Sequence, residues 1–277
     1  MSPLGFSARG ILREVCDALT SLAFPAPCRV CAATLETSSR IPICAECLDS
    51  LRPLTGAGCQ KCGRPFVSAL AGLSENPLCH LCRRGVYGFD LARSYGGYDT
   101  TMVRAVVLLK YHAVTPLADW FAARLAEVVA GDPESFVADV VVPVPLHPDR
   151  LRERGYNQAE LIARPLTRLL DLPCRSELMV RIKPRPAKQK LTRHERWESV
   201  RGAYAIREQA RVDNLRVLLV DDVLTTGATL DSCARALRRA GAARVVGLTV
   251  ARALSDWAGP SRTREQQARE GSGDLSA

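Results

Sequence analysis

The chain has 277 residues, of which 47% are hydrophobic and 24% charged, with 11 cysteines and a formal net charge of +9. This composition is typical of a globular protein rather than a disordered one, and the length suits one core domain with a smaller module. No apolar run approaches the length of a membrane span, which argues against a helical membrane protein.

The N-terminal segment, residues 1–27, predicts an amphipathic helix over Ile11–Phe24, with apolar side chains at helical spacing. Arg9 and Arg13 lie close to its start, which argues against a secretory signal. We therefore expect a cytoplasmic protein, in which the cysteines stay reduced.

Four Cys-x-x-Cys pairs follow. Their members are Cys28, Cys31, Cys44, Cys47, Cys59, Cys62, Cys79 and Cys82. One pair turns two thiolates toward a metal, and two pairs complete a tetrahedral Cys₄ shell with no open position, so we predict two structural zinc ions. A redox dithiol needs only one pair, disulfides do not suit the expected compartment, and the paired spacing favours zinc over an iron–sulfur cluster.

The spacing alone allows more than one grouping of these ligands. The simplest assigns the first four cysteines to one ion and the last four to the other, but an interleaved grouping satisfies the same spacing. We predict a double zinc ribbon over residues 28–85, with a core separate from that of the domain that follows.

The next predicted elements are two helices and a buried strand. Helical spacing of apolar residues predicts helices over Thr100–Leu109, which leads into Lys110, and over Leu117–Val129. The strand Val140–Val142 runs into the rigid turn Pro143–His147. Open α/β sheets bind ligands at the carboxyl ends of their strands, so this turn is a candidate site.

Basic residues concentrate in two places. Arg150, Arg152 and Arg154 stand ahead of a helix that runs to Leu170, where positive charge opposes the helix dipole and mildly favours a ligand role. Residues 181–201 contain eight Lys or Arg and two acids. Because Lys183–Val200 lacks apolar periodicity, we predict a mobile basic loop that is either a solvated surface or a lid on an anion site.

The most informative stretch is Val217–Leu230. Its apolar start, Val217–Val220, predicts a central strand of a parallel sheet. Two acids, Asp221 and Asp222, are followed by a threonine-rich loop and a helix. Backbone N–H groups at such a helix start bind phosphate, Gly227 permits positive φ, and the acids suit the hydroxyls of a neighbouring sugar.

The stretch therefore predicts a ligand with a phosphate next to a diol. An ordinary helix start needs one capping residue, not two acids and three threonines. The residues match neither a Walker loop nor a dinucleotide-binding fingerprint.

Residues 255–277 are polar and are predicted to be disordered.

The stretch Val217–Leu230 resembles the motif of type I phosphoribosyltransferases that binds phosphoribosyl pyrophosphate (PRPP). The order of motifs over residues 19–252 resembles the ComF family, which is linked to natural competence and DNA uptake. The motifs are Phe-Pro-x-x-Cys, the paired cysteines, Pro-Val-Pro-Leu-His, Arg-Gly-Tyr-Asn-Gln-Ala and the PRPP loop. The resemblance implies an α/β fold over residues 86–254, an open, mainly parallel sheet with flanking helices, preceded by the double zinc ribbon.

The resemblance also implies transfer of the phosphoribosyl group from PRPP, bound with Mg²⁺, and release of pyrophosphate. The residues expected to bind PRPP are Asp221, Asp222, Thr225, Thr226, Gly227, Ala228, Thr229, Pro143, Val144, Pro145 and Lys110. Those expected to neutralise the leaving pyrophosphate are Arg154, Lys188 and Arg196. Ser199 stands where the family usually has asparagine.

The sequence names no acceptor and no oligomeric state. A second hypothesis is a non-catalytic component that handles single-stranded DNA together with the competence machinery, with PRPP as a regulator. The scarcity of aromatic residues for base stacking argues against it.

Overall fold

The computed structural model describes residues 26–35, 39–66, 77–184 and 192–254. The predicted N-terminal helix, the predicted C-terminal tail and Lys188 lie outside these residues. Within the described ranges, no helix combines the length and the apolar character needed to cross a membrane.

The described residues form six strands and eight α-helices. The strands are β1 (Leu91–Gly97), β2 (Val140–Pro143), β3 (Met179–Arg181), β4 (Tyr204–Ile206), β5 (Arg216–Leu224) and β6 (Arg244–Arg252). The helices are α1 (Ala45–Asp49), α2 (His80–Arg83), α3 (Thr100–Tyr111), α4 (Leu117–Ala130), α5 (Pro148–Arg154), α6 (Gln158–Leu170), α7 (Arg193–Val200) and α8 (Ala228–Arg239).

The central sheet has four strands in the order β1–β6–β5–β2, and all neighbouring strands are parallel. The predicted strand Val217–Val220 lies in β5, which is flanked on both sides by other strands. β5 continues through Asp221 and Asp222 to Leu224. The acidic pair therefore belongs to the sheet itself, and the threonine-rich loop begins after Leu224.

Two hydrophobic cores cover the two faces of the sheet. Successive side chains of a strand point to opposite faces, so Leu218 and Val220 lie in one core, while Val217 and Leu219 lie in the other. The buried sides of α3, α4 and α6 contribute to the first core, and α8 fills much of the second. The continuous apolar run of β5 thus reflects a strand that is buried on both faces.

Each ribbon contributes to one of these cores. Cys28 lies in the first core with residues of α3 and α4, and Cys59 and Cys62 lie in the second with residues of β5 and α8. The expectation of a separate ribbon core is therefore wrong. A module of this size buries too little apolar surface on its own, and it gains burial by extending the cores of the sheet.

The ribbons also pair with β1, the edge strand. The N–H of Leu54 donates to the carbonyl oxygen of Tyr95 at 2.6 Å, and the N–H of Ala92 donates to the carbonyl oxygen of Lys61 at 2.8 Å. An exposed strand edge is a template for unwanted pairing. Backbone from both ribbons satisfies groups on this edge.

The arginines before the Leu170 helix belong to a helix of their own. Arg150, Arg152 and Arg154 lie within α5, which ends at Gly155 with φ +81°. The prediction that they stand ahead of a single helix is wrong, because the left-handed glycine stops α5 and Asn157 starts α6 with its own side-chain cap.

The last part of the predicted basic loop is also helical. Thr192 and Glu195 form a capping box at the start of α7, each side chain bonded to the backbone N–H of the other. The prediction of a loop up to Val200 is therefore wrong for residues 193–200. The Thr-x-x-Glu pattern is a helix-start signal that the lack of apolar periodicity obscured.

Candidate functional site

The eight cysteines form two clusters in chain order. In each, the four Sγ atoms lie within 4.8 Å of one another; the clusters are Cys28, Cys31, Cys44 and Cys47, then Cys59, Cys62, Cys79 and Cys82. The Sγ atoms of Cys31 and Cys44 are 3.7 Å apart, as are those of Cys62 and Cys79. A tetrahedral ion with Zn–S bonds of about 2.3 Å separates its sulfurs by about 3.8 Å, so both clusters fit structural zinc. The sequential grouping is confirmed.

The same turn closes the first cysteine pair of each ribbon. Ala32 and Gly63 occupy equivalent positions, with φ +65° and +67°. Their N–H groups donate to the carbonyl oxygens of Cys28 and Cys59, both at 2.8 Å. The same knuckle turn is therefore present in both ribbons, and in the first it places Ala32, a residue with a Cβ, in the less favourable left-handed region.

The second cluster is the more deeply buried of the two. All of its cysteines are buried, whereas Cys31 of the first cluster is exposed. Arg252, only 2% exposed, donates from Nη1 to the carbonyl oxygen of Cys62 at 2.6 Å, and its Nη2 lies 3.5 Å from the Sγ of Cys62. Zinc with four thiolates carries a net negative charge, which this buried guanidinium partly offsets.

A cavity of about 350 Å³ opens at the carboxyl ends of β2 and β5, where open α/β sheets bind ligands. Most of the residues predicted to bind PRPP line it. These are Lys110, Val144, Pro145, Asp221, Asp222, Thr225, Thr226, Ala228 and Thr229. Arg196, which is predicted to neutralise the pyrophosphate, lines the cavity as well. Segments far apart in the chain, from α3 to α8, thus meet in one place.

Three other predicted residues do not line this cavity. Pro143 is the last residue of β2, and Gly227 precedes α8 within the loop. Arg154 lines an adjoining cavity of about 160 Å³, which shares Lys110 and Tyr111 with the first. Its guanidinium lies 5.0 Å from the centre of the Tyr111 ring.

The acidic pair has one carboxylate oxygen without a partner. The Nζ of Lys110 lies 2.8 Å from Oδ1 of Asp222, whereas Oδ2 of Asp222 is buried with no hydrogen-bond partner among the described residues. Burial opposes a charged lysine, but the attraction of Asp222 outweighs it and raises the pKa of Lys110. A buried, unsatisfied carboxylate oxygen costs stability, so this atom marks a place for a ligand donor.

Asp221 is also buried, at 8% exposure. Burial and the adjacent Asp222 carboxylate raise the pKa of Asp221 to about 7. Its Oδ1 accepts the backbone N–H of Asp222 at 2.9 Å. A carboxyl group with such a perturbed pKa, beside a cavity, is typical of a functional site.

The loop between β5 and α8 contains the left-handed glycine that the sequence predicts. Gly227 adopts φ +81° at the start of α8, and the N–H of Ala228 lies 3.4 Å from Oγ1 of Thr226. A Cβ on Gly227 would lie 2.6 Å from Cε1 of Tyr87. The glycine is therefore required by its φ and by the tyrosine ring, apart from any ligand.

Further side chains that the sequence did not predict as site residues also line the cavity. They include Tyr98, Tyr111, Arg181 and Tyr204. Arg181 of β3 donates from Nη1 to the hydroxyl of Tyr204 in β4 at 3.0 Å, across a two-stranded antiparallel sheet. Each of these strands has only three residues, too few for a periodic signal.

Comparisons with known proteins agree with this architecture. A model of the double zinc ribbon domain matches residues 19–83, and a model of the phosphoribosyl transferase domain matches residues 158–270. Competence protein F of Haemophilus influenzae is 34% identical over 42% of this chain and 51% of its own length, so only about half of that relative is matched.

Two further relatives match over most of their length. The DNA utilization protein YhgH of Salmonella typhi is 29% identical over 81% of this chain and 96% of its own. Competence protein ComFC of Bacillus subtilis is 28% identical over 76% of this chain and 84% of its own. With the parallel sheet and the paired cysteines, these matches confirm the predicted fold class.

Proposed function

From the premise that this chain belongs to the ComF family, we propose that its main cavity binds PRPP with Mg²⁺ and transfers the phosphoribosyl group to an acceptor. In this reaction the bond between the anomeric carbon and pyrophosphate breaks, and a bond to the acceptor forms. The observation that most supports the proposal is the buried Oδ2 of Asp222, which has no hydrogen-bond partner among the described residues and lies in the same cavity as the loop between β5 and α8.

The acidic pair is assigned to the ribose. A hydroxyl of the sugar donates to Oδ2 of Asp222, while Lys110 holds Oδ1 of the same carboxylate and fixes its orientation. The ligand thereby satisfies a polar atom that has no hydrogen-bond partner within the part of the chain that the structure describes. Asp221 offers a second acceptor for the neighbouring hydroxyl.

The loop at the start of α8 is assigned to the 5′-phosphate. The first N–H groups of a helix have no partner within the helix and favour negative charge. The hydroxyl groups of Thr225, Thr226 and Thr229 add donors at the same place. The helix start and its threonines thus supply neutral donors, which suit a site that already holds two acids.

The turn after β2, Pro143–Pro145, is assigned to the pyrophosphate. Arg196 reaches the same cavity from α7, and Arg154 lies in the adjoining one. Mg²⁺, when bound, neutralises pyrophosphate oxygens, and it keeps several waters rather than requiring an all-protein cage. The chain contributes mainly position and electrostatic stabilisation of the leaving group.

The proposal is tested by isothermal titration of PRPP in the presence of Mg²⁺. We expect wild type to bind and Asp222→Asn to lose most of its affinity, since an amide cannot accept at both positions and leaves Lys110 unpaired. Asp139→Asn is the control, because Asp139 pairs with Arg216 at the opposite end of β5. Equal affinity in wild type and Asp222→Asn contradicts the assignment. Release of pyrophosphate with added acceptors then tests turnover.

A second candidate function is the handling of single-stranded DNA. Relatives bear names that refer to competence and DNA utilization. Tyr111, which is 61% exposed, lies beside Arg154, and both line the adjoining cavity. An exposed ring with a nearby guanidinium suits base stacking. Tyr111→Ala is expected to weaken oligonucleotide binding if this function holds, and to leave it unchanged if the cavity serves only PRPP.

A further inference from the structure

We infer that Tyr87 is a positioning residue for residues 225–227, the loop between β5 and α8, which is called the phosphate loop below. Through Tyr87, the second zinc ribbon holds this loop in the conformation that receives the 5′-phosphate. The inference rests on the proposed function for its ligand. The contacts that support it are all between residues of this protein and do not depend on the ligand.

The hydroxyl of Tyr87 fixes one peptide unit of the loop. It donates to the carbonyl oxygen of Thr226 at 3.0 Å, and the side chain is only 4% exposed. In a trans peptide the C=O and the following N–H point in opposite directions. With its carbonyl oxygen held by Tyr87, this unit turns the N–H of Gly227 away from the tyrosine ring.

We place the cavity on that other side of the loop, because the residues before and after Gly227 line it. Thr225, Thr226 and Ala228 line it, and Tyr87 does not. Because the ring packs directly against Gly227, the loop cannot rotate this peptide unit without displacing the tyrosine. The hydroxyl therefore selects the orientation in which a loop N–H can serve an anion.

The backbone around Tyr87 is itself anchored on two sides. The N–H of Gly88 donates to Oδ1 of Asp231 in α8 at 2.6 Å, and Nη2 of Arg235 donates to the carbonyl oxygen of Val86 at 2.8 Å. From the ribbon, Nζ of Lys61 donates to the carbonyl oxygen of Tyr87 at 3.0 Å. Lys61 lies between Cys59 and Cys62, so the second zinc ribbon and α8 both hydrogen-bond to the segment Val86–Gly88.

The aromatic ring makes the third connection. It stacks on Phe89 at 4.8 Å and on Trp197 at 6.0 Å between ring centres. Trp197 follows Arg196, which lines the cavity. Tyr87 thus contacts the ribbon, the phosphate loop and the helix that supplies a basic side chain to the site.

The experiment compares Tyr87→Phe with Tyr95→Phe. Tyr95 is an equally buried tyrosine, and its hydroxyl donates to the carbonyl oxygen of Leu51 at 2.7 Å in the first ribbon, away from the loop. Both variants lose one buried hydrogen bond and keep the ring. Hydrogen–deuterium exchange of the peptide covering residues 224–232 is measured without ligand, and PRPP affinity with Mg²⁺ is measured by calorimetry.

In Tyr87→Phe we expect exchange in this peptide to accelerate and PRPP to bind more weakly, each by about fivefold, which is the effect of one hydrogen bond of about 1 kcal/mol. In Tyr95→Phe we expect neither change. Exchange equal to wild type in Tyr87→Phe, or unchanged PRPP affinity despite faster exchange, overturns the inference. Faster exchange in Tyr87→Phe, in a protein whose wild type binds no PRPP, supports the positioning role and overturns the proposed function alone.

Discussion

Arg252, the last residue of β6, donates a hydrogen bond to the carbonyl oxygen of Cys62 and is almost fully buried against the second zinc cluster. Because this guanidinium offsets the charge of four thiolates, we expect Arg252→Met to speed the loss of zinc from the second cluster. Changes to groups around metal ligands typically cost about tenfold or more in metal affinity. Zinc release to a coloured chelator measures the effect.

The control for this prediction is Arg104→Met. Nη1 of Arg104 donates to the carbonyl oxygen of Val30 in the first ribbon, a comparable contact with a ribbon carbonyl. We expect this variant to leave the second cluster unchanged. Identical release from the second cluster in Arg252→Met and wild type would show that its charge is balanced elsewhere.

Loss of a ligand in the first ribbon should destabilise the whole protein. Cys28 lies in the same core as α3 and α4, so Cys28→Ser removes a zinc ligand and loosens that core. We expect a single unfolding transition with a melting temperature several degrees lower, measured by scanning calorimetry. Two separate transitions, with the larger one at the wild-type temperature, would restore the idea of independent cores.

The ion pair of Lys110 and Asp222 should show strong coupling. Lys110→Met leaves a buried carboxylate without its cation, and removal of one partner from such a pair costs about 3 kcal/mol. The double variant with Asp222→Asn removes both charges and should recover part of this loss. Urea unfolding of the four proteins of the cycle gives the coupling energy, and simple additivity would refute it.

The raised pKa of Asp221 predicts a pH dependence of stability. Its folded-state value of about 7 exceeds the ordinary 3.8, so the folded protein holds the proton more tightly. Stability contributed by this group is therefore lost as pH rises from about 4 to 7. We expect Asp221→Asn to gain at least about 2 °C in melting temperature relative to wild type between pH 5 and pH 8.

Asp139→Asn provides a control of opposite sign for that measurement. Hydrogen bonds from Arg216 lower the pKa of Asp139, so its contribution is present above the ordinary value and lost only as pH falls below it. Between pH 5 and pH 8 the difference between this variant and wild type should stay constant. A rise like that of Asp221→Asn would mean that burial of Asp221 is not its cause.

The parts of the site that depend on neighbouring residues could be predicted from the sequence. The run Val217–Val220, the acids after it and Gly227 predict their own local structure. A strand buried on both faces requires apolar residues, and a positive φ favours glycine. The paired cysteines did the same for the two zinc clusters. The domain bounds at residues 85 and 86 and the roles of the PRPP-binding residues stay predictions.

Relationships between distant segments could not be predicted. The partner of Asp222 is Lys110, 112 positions earlier in the numbering, and no spacing rule connects a helix end with a strand end. Tyr87 belongs to no predicted element, yet its hydroxyl donates to the carbonyl oxygen of Thr226 in the loop between β5 and α8. Both depend on how the sheet assembles, which a single sequence encodes only through the sum of many weak packing preferences.

The pairing of both ribbons with β1 has a consequence for how this protein can be divided. A fragment that begins after the last cysteine pair would keep Asp221, Asp222 and the loop after them, but its first strand would lack the partners that Leu54 and Lys61 provide. Both cores would also be open on one side. Such a fragment invites edge-to-edge association between copies. The two zinc ribbons thus cover the edge of the sheet at β1. Loss of zinc would therefore lower the solubility of the protein as well as its function.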